Sequence, residues 1–362
     1  MRKALLYIFY GAGLIGLAVF IITKNEYLMS ELTRSMNEDG DLYRFARVRQ
    51  FKVPFPAEVY PDEDIGLSNL DSVRVFMIGD SFLESCRGHR SLPVELSAAL
   101  AEPIHVVQAG DSTECFNPLY LFKKARITKG PPRIVILERV ERYIIDNFSD
   151  PMDDDPRIEP ETLSPSGWYA FERRWFTGAE RNYEVLLTSS SITAPVIELW
   201  NTACFTVLGR ISEMTPVYSL NPPFLFYEEE VSRVKLNSFY APHPDSSVEE
   251  IADYIAAVRS TLQKRYNTEL VFMAIPNSYT IYHKFVNNDI YDNYLPRLEK
   301  YLNQRGVRTI DLYERYIDSK EIVYFPTDSH WNTLGCEIAL HETLRQLREM
   351  GWGRGRDIGS AR

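Results

Sequence analysis

Cysteine is scarce, with four in 362 residues: Cys86, Cys115, Cys204 and Cys336. So thin a set excludes a disulfide-built scaffold, and it has none of the close spacings of a zinc site. Basic runs are missing too. Forty Lys and Arg against fifty Asp and Glu give a formal net charge of −10, which argues against a nucleic-acid groove, because neutralising phosphates needs a local cationic excess. No internal repeat is evident. Apolar residues make up 45%, aromatics 13% and charged residues 25%, so the composition is that of a folding chain, not a disordered or collagen-like one. Its length suits one large or two ordinary domains.

Charge is absent from Ala4 to Thr23, between Arg2-Lys3 and Lys24. At about 1.5 Å per helical residue such a run covers a hydrocarbon core of about 30 Å, so a transmembrane helix is expected. Phe20-Ile-Ile-Thr-Lys24 offers no small-x-small cleavage site, which favours an uncleaved anchor over a signal peptide. The basic excess before the span predicts a cytoplasmic N-terminus and an exported remainder, periplasmic or extracellular. Gly11-Ala12-Gly13-Leu14-Ile15-Gly16 spells the dinucleotide fingerprint, but it sits mid-span, where helix packing is the expected role.

Beyond the span, Val73–Ile78, Ile104–Ala109, Arg133–Leu137, Leu270–Ile275 and Val307–Leu312 read as buried strands. Helices are expected at 83–100, at 245–265, at 289–304 and at 333–350; Ser246 or Ser247 with Glu249 or Glu250 would form a capping box for the second. Strands separated by helices imply an α/β fold with three layers, α/β/α, around a parallel five-stranded sheet. The alternation breaks between 146 and 245, where a largely helical insertion with a helix near 182–213 is expected over a small second domain. The expected organisation is an anchor at 1–24, a linker at 25–70, an α/β domain at 71–350 and a tail at 351–362.

The chemistry lies at two distant places. Gly79-Asp80-Ser81 follows the first strand, so Ser81 stands at the carboxyl edge of the sheet, beside the N–H groups of the helix expected there. That suits a nucleophile, and also suits a plain helix cap. Asp328-Ser-His330 precedes the last helix; Asp328 could orient His330, and His330 could deprotonate Ser81, whereas Asn332 alone suits an ordinary capped turn. Their joint occurrence at strand ends favours a Ser81–His330–Asp328 triad.

These words resemble the SGNH/GDSL hydrolase superfamily. Leu137-Glu138-Arg139-Val140-Glu141-Arg142-Tyr143, Ile275-Pro276-Asn277-Ser278-Tyr279-Thr280-Ile281-Tyr282 and Asp328-Ser-His-Trp-Asn332 narrow the resemblance to the alginate O-acetyltransferase-like branch, over most of residues 70–350. The resemblance implies an SGNH-like α/β/α fold with Ser81 as nucleophile, His330 as base and Asp328 as its orienting partner. It also implies an oxyanion hole of the Ser81 and Gly110 N–H groups. The superfamily's Gly-x-Asn-Asp-like third block is absent, so the third oxyanion donor is open, with Arg142 or Asn117 as substitutes and structural roles as the alternative. Serine comes before Asp-x-His here, as in ordinary SGNH enzymes and unlike the alginate acetylation enzymes.

Among weaker signals, Tyr282, His283, Trp331 and Trp168 could stack on sugar rings, or fill a core. Arg142, Tyr282 and Trp331 are carried as candidate substrate contacts. Glu337 and His341, four apart, read as a surface pair, and no metal or other cofactor is expected. Cys86 and Cys115 could bridge in an oxidising compartment or stay as free thiols. The expectation is a membrane-anchored serine acyltransferase or esterase that O-acetylates an exported polysaccharide or oligosaccharide. Its acyl donor could be delivered by a membrane acyltransferase, and teichoic-acid D-alanylation proteins are a more distant likeness. A non-catalytic glycan-binding or scaffold subunit of an export assembly is the alternative.

Overall fold

In the computed structural model, the residues described are 39–56, 73–84, 88, 90–108, 116–124, 132–148 and 190–352, with isolated positions from 14 to 32 and at 186. The expected span at 4–23 falls mostly outside them. Among the described residues no helix is long and apolar enough to cross a membrane. The chain forms two compact units, Met1–Phe55 with Glu159–Thr215, and Pro56–Ile158 with Pro216–Arg362.

The second unit carries the sheet. Its strands in chain order are β1 (Val75–Gly79), β2 (Ile104–Gln108), β3 (Ile134–Val140), β4 (Val217–Leu220), β5 (Pro223–Phe226), β6 (Glu269–Ile275) and β7 (Arg308–Asp311). Five are parallel and lie in the order β2-β1-β3-β6-β7, with Val75 paired to Ile104 on one side and to Ile134 on the other. These are the five strands expected from sequence. Every residue of β1 and β3 is buried, as expected of strands covered on both faces, and in β3 this includes the charged Glu138 and Arg139. One helical layer holds Pro118–Lys124, Glu141–Phe148, Asp245–Tyr266 and Tyr294–Gln304, and the other holds Leu92–Leu100 and Thr333–Glu349. In this strand order the chain reverses its direction of progress between β1 and β3. Such a reversal opens a crevice beyond the strands' carboxyl ends.

The helix Asp245–Tyr266 buries Ile251, Ile255, Val258 and Leu262 at the expected spacing. It starts at Asp245 after Pro244, without a side-chain cap, so the capping box at Ser246 or Ser247 is not formed. Proline before the first turn already fixes an extended entry, and both serines fall inside the helix. The expected insertion at 146–245 falls partly outside the described residues. Its described residues include the helix Ala194–Leu208, but β4 and β5 form an antiparallel hairpin.

In the first unit, one face of Ala194–Leu208 packs on the helical turns at 41–51. Glu198 accepts from Tyr43 Oη and Arg49 Nε, both at 2.8 Å, and Asn201 Nδ2 donates to the Ala46 carbonyl at 2.9 Å. Phe51 meets Phe205 edge to face with ring centroids 5.6 Å apart.

Candidate active site

β1 ends where Gly79-Asp80 turns the chain off the sheet, and Ser81 begins a single 3-10 turn, Ser81–Leu83. A Cβ on Gly79 would run into Glu138 Oε2 and the Leu83 side chain, so glycine is what lets the backbone turn this close to β3. Asp80 caps the turn, its Oδ1 accepting the Phe82 N–H at 3.0 Å. The helix expected from Leu83 starts only at Leu92, after Ser91 and with Pro93 in its first turn. Proline is tolerated in a first turn but would break a helix interior, which explains the later start. This removes the helix N–H groups expected beside Ser81. The N–H groups of Phe82, Leu83 and Glu84 are taken by Asp80 Oδ1, the Asp80 carbonyl and the Ser81 carbonyl. Ser81's own N–H is then the donor this turn can offer.

The Asp-x-His word sits on a closed loop. Tyr324 and Trp331 form an antiparallel bridge across its base, and Phe325 N–H donates to the His330 carbonyl at 3.1 Å. Asn332 caps the last helix by accepting the Gly335 N–H at 3.1 Å, while its Nδ2 donates to the Ile322 carbonyl at 2.6 Å. Within the loop Asp328 Oδ1 accepts from the His330 N–H at 3.0 Å and from Nδ1 at 2.7 Å. With Nδ1–H directed at the carboxylate, Nε2 is left as an acceptor, and it lies 2.8 Å from Ser81 Oγ. The His330 ring rests against Phe82 at 5.0 Å, and Phe82 packs edge to face on Trp331 at 5.0 Å. Two sequence words 249 residues apart are thus brought into one hydrogen-bonded series.

The other candidates are placed differently. Gly110, Cys86, Cys115 and Trp168 lie outside the described residues. Asn117 caps a helix, its Oδ1 accepting the Leu119 N–H at 2.9 Å. Three expected substrate contacts are corrected by burial. Trp331 is 0% exposed, which leaves no ring face for a sugar. Tyr282 is buried and its hydroxyl accepts the Val323 N–H at 2.7 Å. Arg142 is buried with its Nη1 3.1 Å from Glu230 Oε1. His283 is likewise a core residue, Nδ1 donating to the Thr280 carbonyl at 3.1 Å. Glu337 and His341 are exposed on the last helix. Cys204 and Cys336 are free thiols, and burial pushes that of Cys336 up to about 12.

Sequence reasoning missed the acids that hold this edge together. Glu138, fully buried at the end of β3, accepts the Asp80 N–H at 2.8 Å through Oε2. Burial first, and then the Asp80 carboxylate, pushes its carboxyl well above the usual range. Beside it, Arg139 Nη1 reaches Asp80 Oδ2 at 3.1 Å while its guanidinium lies 3.9 Å over the Phe116 ring. Glu141 accepts from the Asn277 N–H at 2.8 Å, and from Thr280 Oγ1 and Tyr291 Oη, both at 2.7 Å. Burial raises its carboxyl to about 7 against the pull of those donors. Glu230 Oε2 accepts from Ser278 Oγ at 2.9 Å and from the Tyr279 N–H at 3.0 Å. A charged residue inside an otherwise apolar strand was the available signal, because a buried carboxyl must find a partner.

Residues 221–357 match the family model described as ALGX, SGNH hydrolase-like domain, acetyltransferase AlgX. That stretch contains Asp328 and His330 and ends short of Ser81 on its N-terminal side. Among solved structures, a lipase/acylhydrolase from Enterococcus faecalis aligns at 11% identity over 77% of this chain and 97% of that chain, with a TM-score of 0.33. A second aligns at 11% identity over 78% and 99% of the respective chains, with a TM-score of 0.31. No curated protein matches the sequence. Residues 221–357 are thus similar to the AlgX-type SGNH hydrolase-like domain, the same resemblance that the words of the sequence carry.

Proposed function

We propose that this chain is a serine acyl-transfer enzyme whose nucleophile is Ser81, with His330 as general base and Asp328 as the group that orients it. The observation that carries the reading is the continuous series Asp328 Oδ1, His330 Nδ1, His330 Nε2, Ser81 Oγ, with gaps of 2.7 and 2.8 Å. Ser81 Oγ attacks the carbonyl carbon of an acyl donor and passes its proton to His330 Nε2. The tetrahedral oxyanion is met by the Ser81 N–H, with the Gly110 N–H as the expected second donor. Collapse expels the leaving group, which takes the proton from His330, and the acyl group stays on Ser81 as an ester. An acceptor hydroxyl then gives its proton to His330 and attacks that ester, regenerating Ser81. A sugar hydroxyl makes the enzyme an O-acyltransferase, and water makes it an esterase.

The acyl group is acetyl and the acceptor an exported polysaccharide or oligosaccharide in this reading. Support comes from the AlgX-type family match and from the uncharged run at 4–23, which would anchor the chain at a membrane with the sheet domain on the exported side. An acetyl donor delivered by a membrane acyltransferase would suit that placement. The test is acetyl release and transfer by the purified chain in detergent, with and without an oligosaccharide acceptor. Ser81→Ala should remove both activities. If cells whose only copy is Ser81→Ala acylate their glycan normally, the chain is instead the non-catalytic glycan-binding or scaffold subunit.

A further inference from the structure

The family's third sequence block is missing after β3, and among the described residues Glu138 and Arg139, in its place, make no hydrogen bond to Ser81 Oγ. They hold the residue before it. Asp80 is gripped three ways: its N–H by Glu138 Oε2 at 2.8 Å, its Oδ2 by Arg139 Nη1 at 3.1 Å, and its Oδ1 by the Phe82 N–H at 3.0 Å. Gly79 lies flat against the same Glu138 oxygen, where no side chain fits. Glu138 is 0% exposed, and its Oε1 has no hydrogen-bond partner among the described residues. An apolar residue of similar size would be cheaper at such a place unless the accepted hydrogen bond were needed.

We propose that Glu138 is a positioning residue for the nucleophile, its Oε2 fixing the Asp80 N–H and thereby the angle at which Ser81 Oγ meets His330 Nε2. The inference rests on Ser81 being the nucleophile. Arg139 supports the same turn through the Asp80 side chain, so backbone and side chain of one residue are fixed from adjacent positions on one strand. Glu138 acts as an acceptor and needs no charge. Burial beside the Asp80 carboxylate favours its neutral form, with Arg139 and Arg142 as the facing cations that pull the other way.

The role separates two variants of nearly equal volume. Glu138→Gln keeps an uncharged oxygen acceptor, whereas Glu138→Met fills the space without one. With 4-nitrophenyl acetate as probe and the full chain in detergent, Glu138→Gln should stay within about threefold of the parent. Glu138→Met should lose about 10²-fold in kcat, the scale of an ångström-size misplacement, with KM unchanged. The rate at which a fluorophosphonate labels Ser81, displacing fluoride, should fall in parallel in Glu138→Met alone. A folded Glu138→Met variant as active as Glu138→Gln overturns the proposal, as does a loss that appears only in KM. Should Glu138→Met fail to fold, hydrogen exchange at the Asp80 amide of the unaltered chain decides, since fast exchange there means the N–H is not held. Ser81→Ala in the same assay keeps the two readings apart. Activity surviving in Ser81→Ala rejects the nucleophile, and activity lost there but kept in Glu138→Met rejects only the positioning.

Discussion

Two serines follow parallel strands of one sheet, Ser81 after β1 and Ser278 after β6, and they have opposite surroundings. Ser81 is partly exposed and its Oγ faces an imidazole nitrogen at 2.8 Å. Ser278 is 2% exposed and donates to Glu230 Oε2, itself buried and paired with Arg142. A strand end at the carboxyl edge supplies a location for chemistry, but the acceptor decides what the hydroxyl does. Imidazole can take the proton and return it to a leaving group, whereas a buried carboxylate in an ion pair only satisfies the donor and stiffens the edge.

The comparison breaks most visibly at Ser81. Ser81→Ala or His330→Ala should each lower acetyl transfer by about 10⁶-fold while circular dichroism and melting stay those of the parent, and the double variant should be scarcely worse, because the two act as one unit. Asp328→Asn should cost less, about 10⁴-fold in kcat, through loss of the tautomer that leaves Nε2 free. On the Ser278 side the effects should be on stability instead. Arg142→Met should destabilise by about 3–5 kcal/mol in chemical denaturation, since it strands Glu230 without its cation, and a second change, Glu230→Leu, should recover much of the loss. Ser278→Ala removes one donor from the same carboxylate and should cost about 1–3 kcal/mol with acetyl transfer intact.

A pH dependence is expected at Glu141. Its folded-state value of about 7 lies above the ordinary 4.5, so the folded chain holds the proton longer than the unfolded one. Stability from this group is therefore full below about 4.5 and declines as pH rises toward about 7. Melting temperature should fall across that window more in the parent than in Glu141→Gln. Equal slopes would mean that the carboxylate is already fully ionised by its three donors.

Much of the sheet was legible because its strands are short runs rich in β-branched and other apolar residues, unbroken in β1 and interrupted by polar or charged residues in β2, β3, β6 and β7. The hairpin was passed over although Asn221-Pro222 between Val217-Tyr-Ser-Leu220 and Pro223-Phe-Leu-Phe226 is a turn signal between two strand-like runs. Ser81, Asp328 and His330 could be named from their words, whereas for Arg142, Tyr282 and Trp331 the substrate role and the core or structural role were both open, and their burial favours the second. Arg142, Tyr282 and Trp331 carry groups that suit a sugar, and nothing in the sequence says that the groups face inward. Their partners, Glu230 and Val323, lie 88 and 41 residues from Arg142 and Tyr282, and such pairings arise only from the tertiary fold.

The separation of 249 residues between Ser81 and His330 also bears on when the site comes into being. At typical synthesis rates of about 5–20 residues per second, the hydroxyl leaves the ribosome roughly 10–50 s before its base exists. A contact this remote in sequence is among the last and slowest to close. For that whole interval Ser81 is an ordinary alcohol, inert toward esters in its surroundings. On the proposed mechanism reactivity arrives with completion of the fold, and a nascent or truncated chain ending before Asp328 should be chemically silent.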